Sequence, residues 1–130
     1  MTHEPRWLAK ADVIALHDYV LARTGGSPGL RDGGLLESAL ARPLNRWSYE
    51  GVDDIRDLAA TYGVGLAKNH AFVDGNKRAA FLGVGVFLEL NGWRLTATDE
   101  GATTTFYGLA SGEVGEDALA AWIRDNSAAT

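Results

Sequence analysis

The sequence predicts an all-α fold, a helical domain built round one buried helix. Apolar residues recur at spacings of three and four along most of the chain. One segment, Asn76 to Leu90, is apolar on nearly every face, as suits a central helix. The breaks between segments fall on glycine, as at Thr24-Gly25-Gly26 and Asn91-Gly92. With 130 residues, 46% of them hydrophobic and 22% charged, the composition is that of one globular domain, expected to cover residues 1–130.

The first helix is expected from about Leu8 to Arg23, where Val13, Leu16, Val20 and Leu21 form one apolar stripe. Ser27 to Asp32 reads as a structured loop, with Asp32 placed to cap a short helix carrying Leu35, Leu36, Ala39 and Leu40. Pro43 is expected to stop that helix. Residues Pro43 to Val52 show no period, and Arg46-Trp47-Ser48-Tyr49 is compatible with a loop or a short hairpin flap. From Asp53 to Asn69, Ile55, Leu58, Ala59, Tyr62 and Leu66 predict a helix with acids at its positive end and Lys68 at its negative end. The central helix follows, stopped by Asn91-Gly92; Gly83 and Gly85 within it suggest close approach of a neighbouring backbone. Two weaker helices close the chain, about Asp99 to Ala110 and Glu116 to Asp125, although Thr103-Thr104-Thr105 is β-branched.

Twelve Lys and Arg against seventeen Asp and Glu give a formal charge of −5. A general basic field for nucleic acid is therefore not expected, and any phosphate must meet a local cationic site. The absence of cysteine excludes disulfides, thiolate nucleophiles and thiolate-bound zinc, and fits a reducing cytoplasm. Met1 to Trp7 lacks the apolar core of a secretory signal. Ala79 to Leu88 is about half of the ~20 residues that span a bilayer, so no membrane association is expected.

The chemistry concentrates in His70-Ala71-Phe72-Val73-Asp74-Gly75-Asn76-Lys77-Arg78. If the central helix opens at Asn76, its first backbone N–H groups form an anion site that Lys77 and Arg78 reinforce. Asp74 is a hard oxygen ligand suited to a Mg2+ that also takes phosphate oxygens. His70 is the side chain here suited to taking a hydroxyl proton near neutral pH. Base, metal ligand and phosphate clamp are what phosphate transfer requires. The same residues also make sound turn and cap chemistry, with Lys77 and Arg78 as solvated charges. Against that plainer reading, two cations in a first helical turn oppose the helix dipole, and a bound anion would offset the cost.

The stretch His-x-Phe-x-Asp-Gly-Asn-Lys-Arg resembles the signature of the Fic superfamily in the form carried by its death-on-curing (Doc) branch. Segments on both flanks are similar to that branch in the same order: Gly25 to Asp32, Leu35 to Pro43, and Phe87 to Gly92. The resemblance covers about Leu8 to Arg124. It implies a compact Fic-like helical fold, with the motif loop ahead of the central helix and a flap, possible here as a short β-hairpin, that aligns a target segment. It further implies His70 as general base, Phe72 as the loop's anchor in the core, Asp74 as Mg2+ ligand, and Gly75, Asn76, Lys77 and Arg78 as binders of nucleotide phosphates. Most Fic enzymes move AMP to a protein hydroxyl and carry Gly where this chain has Lys77 and Arg where it has Phe81. Resemblance to the Doc branch instead implies ATP bound in reverse, its γ-phosphoryl group passed to a threonine of elongation factor Tu, translation inhibited, and an antitoxin seated in an apolar groove.

Three alternatives stand beside that expectation: AMP transfer to a protein hydroxyl, a non-catalytic module binding antitoxin or nucleotide, and Mg2+-dependent phosphate ester hydrolysis. Elsewhere, His17 among apolar neighbours reads as a core or rim histidine, and His3 as part of a frayed terminus. Thr96 to Gly101 has the spacing of a self-inhibitory segment of some Fic proteins, but Thr98-Asp99-Glu100 reads better as a helix start. The four tryptophans read as packing residues, with Trp47 also a candidate for the flap.

Overall fold

A computed structural model describes residues 3–130; the first two residues of the Met1 to Trp7 reading lie outside the described residues. The element order is α1 (Lys10–Thr24), α2 (Gly33–Glu50), α3 (Ile55–Lys68), α4 (Asn76–Leu90), β1 (Trp93–Leu95), α5 (Asp99–Ser111), α6 (Glu116–Asp125) and β2 (Ser127–Ala129). The expected all-α fold holds, with the short strands β1 and β2 added to it, and α4 and α6 begin and end where the periodicity places them.

Four of the six helices among the described residues start on a side-chain hydrogen bond to a backbone N–H. The Asp12 carboxylate accepts from the Ala9 N–H at 3.0 Å, Asp32 from Leu35 at 3.0 Å, Asp54 from Arg56 at 2.9 Å, and Thr98 from Gly101 at 3.0 Å. The last of these makes Thr96 to Gly101 the entrance to α5. Helix α1 starts two residues later than expected, yet Leu8 before it is buried and its N–H donates to the Tyr62 hydroxyl at 3.1 Å. Gly92, with φ of 86°, supplies the left-handed residue after α4.

Pro43 does not stop α2, which runs on to Glu50 and ends at Gly51 with φ of 71°. An interior proline costs about 3 kcal/mol. Here it continues the stripe Leu36, Ala39 and Pro43 that buries α2 against α3, and this packing outweighs the lost hydrogen bond. The same observation removes the hairpin flap from residues 43–50. Trp47 packs edge-on to Trp7 with ring centroids 6.0 Å apart. Arg46 donates to Thr61 at 2.7 Å and to Glu116 at 2.8 Å, and Arg42 pairs with the same Glu116, tying α2 to α3 and α6.

Helices α3 and α4 form the centre of the molecule, with α2 and α6 against α3, and α1 and α5 against α4. Their shared core holds Leu58, Tyr62, Leu66, Val84, Phe87 and Leu88, all at 2% exposure or less. Gly83 admits a side chain, the Leu66 Cδ1, which would sit 2.8 Å from an added Cβ, whereas nothing lies within 4 Å at Gly85; neither glycine meets a neighbouring backbone. The antiparallel pair β1 and β2 joins Trp93 to Ala129, Arg94 to Ala128 and Leu95 to Ser127. No helix among the described residues is long and apolar enough to cross a membrane.

Candidate active site

Residues 69–75 link the two central helices, so both ends of the loop are anchored in the core. Phe72 is 2% exposed and stacks on His17 with ring centroids 3.8 Å apart. Its neighbours in the alternation, His70 and Asp74, face solvent. The result is a loop whose middle is buried and whose chemical groups are presented outward.

The backbone is fixed from three sides. Residues Gly29 to Asp32 run alongside the loop: Val73 N–H donates to Gly29 C=O at 3.1 Å, and the N–H groups of Arg31 and Asp32 donate to Ala71 C=O at 2.7 and 3.0 Å. Arg31 also donates from Nε to His70 C=O at 2.7 Å. These contacts hold His70 at φ of 52°, a left-handed conformation that only asparagine, aspartate and histidine among side-chain-bearing residues adopt with any frequency. From below, His17 Nε2 meets the Asp74 carbonyl at 2.6 Å. From within, Asn76 donates from Nδ2 to Phe72 C=O at 2.9 Å and accepts from Phe72 N–H at 3.0 Å.

The Asn76 amide is thus spent on closing the loop, and what Asn76 can offer a phosphate is its backbone N–H. Helix α4 has no side-chain cap and no acid in its first turn. Gly75, at φ of 77°, makes the left-handed turn into the helix, whose first N–H groups donate to no side-chain cap. Lys77 and Arg78 stand in this first turn. Lys77 Nζ lies 5.0 Å from the Tyr107 ring centroid, and Arg78 Nη1 donates to Thr24 Oγ1 at 3.1 Å. A cavity of about 380 Å³ adjoins them, walled by Phe81, Ala102 and Phe106 and edged by Asp99 and Thr103. A cationic mouth with an aromatic wall is suited to a phosphate ester bearing a flat ring system.

Asp74 Oδ1 accepts from Gly75 N–H at 2.8 Å and Oδ2 from Ser27 N–H at 3.3 Å. An added Cβ at Gly26 would lie 2.8 Å from that Oδ2, so the glycine makes room for the carboxylate. Both oxygens keep further lone pairs. Among the described residues no group of three or more His, Cys, Asp or Glu could hold a metal. A single carboxylate is nonetheless what Mg2+ takes when phosphate oxygens and waters complete its shell, and in that sense the residues fit.

Of the residues singled out in the sequence, Asp74, Gly75, Asn76, Lys77 and Arg78 lie on the turn into α4, and His70 is exposed four residues before Asp74 on the same loop. Sequence reasoning left Arg31 without a role; it read His17 as a core or rim histidine, which its burial bears out, without giving its partner. Both contacts reach the loop from distant positions, 39 and 57 residues away, and no local periodicity could signal them.

Comparison with known proteins shows the family. Residues 7–88 match the sequence profile of the Fic/DOC family. The chain is 37% identical over 119 residues to "Protein kinase doc" of Escherichia phage P1, covering 92% of this chain and 94% of that protein. It is 38% identical over 92 residues to "Toxin Doc" of Mycolicibacterium smegmatis, covering 70% of this chain and 68% of that protein. On these matches, the chain belongs to the Fic/Doc family.

Proposed function

We propose that the chain is the toxin of a toxin–antitoxin pair and acts as a protein kinase, passing the γ-phosphoryl group of ATP to a threonine hydroxyl of elongation factor Tu and so inhibiting translation in the cytoplasm. The observation that carries the reading is the uncapped start of α4, where Lys77 and Arg78 stand beside Asp74 on the loop that presents His70. The names of the two relatives, a kinase and a toxin, support it.

In this reading the backbone N–H groups of Asn76 to Arg78 and the two cations hold the triphosphate, and the nucleoside end rests in the cavity against Phe81 and Phe106. Asp74 would hold Mg2+, which when bound would supply neutralisation of phosphate charge. His70 accepts the proton of the threonine hydroxyl as its oxygen bonds to the γ-phosphorus. The bond from that phosphorus to the β,γ-bridging oxygen breaks, and ADP leaves with the electron pair. His70 then releases its proton to water. The barrier is lowered mainly by positioning and charge compensation, which is what a loop clamped at this many points provides.

Incubation of the protein with elongation factor Tu, Mg2+ and ATP labelled at either the γ- or the α-phosphate tests the reading. Label carried from the γ-position supports it. Label carried from the α-position identifies an AMP transferase, and no label on the target removes both.

A further inference from the structure

We infer that His17 of α1 is a positioning residue for the transfer reaction, aiming Asp74 and the first turn of α4 through the Asp74 peptide carbonyl. The inference rests on the proposed kinase reading, but its evidence is separate.

His17 is 1% exposed, and its Nε2 makes a polar contact to the motif loop. A carbonyl oxygen only accepts, so at 2.6 Å from it Nε2 must carry the hydrogen. The imidazole ring also lies flat on Phe72, with 10° between the planes. One side chain thus grips two loop residues, the buried anchor and the carbonyl of the Mg2+ ligand. Fixing that carbonyl fixes the peptide plane between Asp74 and Gly75. On one side of this plane hangs the carboxylate, with Oδ1 bound to the Gly75 N–H. On the other begins the left-handed turn at Gly75, and an added Cβ there would lie 3.6 Å from His17 Nε2. A rotation of this peptide would swing the carboxylate and the helix's N–H row together. An apolar side chain would have filled the same volume without the cost of burying a polar ring.

The test compares His17→Phe, which keeps a flat ring on Phe72 and removes the donor, with His17→Gln, which restores an N–H donor at similar reach. Thermal unfolding is measured beside kcat and KM for ATP, using γ-label transfer to elongation factor Tu. The expected result is a kcat at least tenfold lower in His17→Phe with a melting temperature close to wild type, and recovery of most of that loss in His17→Gln. Unchanged kcat in His17→Phe overturns the inference, as does a kcat in the two variants that simply follows their melting temperatures. If His17→Phe does not fold, nitrogen-15 NMR of the wild-type imidazole decides: a proton on Nε2 upholds the contact and one on Nδ1 alone overturns it. A wild-type protein that transfers no γ-label defeats the kinase reading instead, an outcome distinct from any of these.

Discussion

Arg31 Nε lies 2.7 Å from the carbonyl oxygen of His70, and His70 is the one non-glycine residue described with a positive φ. The pairing explains how a strained backbone is kept at the residue that the proposed mechanism uses as its base. Such a conformation costs about 1–3 kcal/mol and persists when its surroundings over-determine it.

Replacing Arg31 with Ala removes a charged donor from an exposed site. The expected loss is about 1 kcal/mol of stability, with a larger proportional loss of transfer activity, because His70 is released from its conformation. Thermal unfolding measured beside γ-label transfer checks both halves.

Asn76→Ala deletes two hydrogen bonds to the Phe72 backbone. A loss of about 1–3 kcal/mol is expected, since the buried Phe72 N–H loses its partner. Chemical denaturation gives the value.

The two glycines of α4 are expected to respond with opposite signs. Gly83→Ala pushes a methyl to 2.8 Å from Leu66 Cδ1, an overpacking of about 1–3 kcal/mol in a buried core, which the gain in helix propensity offsets only in part. Gly85→Ala meets nothing within 4 Å and gains about 0.5–1 kcal/mol from helix propensity. Paired denaturation curves separate them.

Stability is expected to fall at both pH extremes for identifiable reasons. Burial pushes the Tyr62 hydroxyl up to about 12, partly relieved by the Leu8 N–H. Its folded value exceeds the unfolded one, so its contribution is complete below about pH 10 and is lost as pH rises through about 12. Tyr62→Phe flattens that alkaline decline. At the acid end, the hydrogen bond from the Arg56 side chain holds the Asp54 carboxyl below its usual range. That contribution is present above the unfolded value of 3.8 and is lost as pH falls through the lower folded one. Asp54→Asn, which retains a capping oxygen, melts lower than wild type at neutral pH and converges with it in strong acid.

The helices were legible because their stripes are long and their caps local. Asn76 to Leu90 and Glu116 to Asp125 needed no tertiary information. Pro43 misled because local backbone chemistry argues for a break, while burial of the α2 stripe against α3 decides otherwise. Strands β1 and β2 are three residues each, too short for alternation to register, and they pair across 36 positions of sequence between Trp93 and Ala129. In the candidate site, the chemical groups share one stretch and could be read directly. The clamps that hold them, Arg31 and His17, come from elsewhere in the fold. The Asn76 amide faces inward to Phe72, a direction that sequence alone does not give.

The most direct measurement is the intact mass of elongation factor Tu after incubation with the protein, Mg2+ and ATP, followed by mapping of the modified residue. A gain of one phosphoryl group on a threonine, lost with His70→Ala while that variant remains folded and binds ATP, is the predicted result. A gain of an adenylyl group, or a phosphoryl gain that survives His70→Ala, would contradict it.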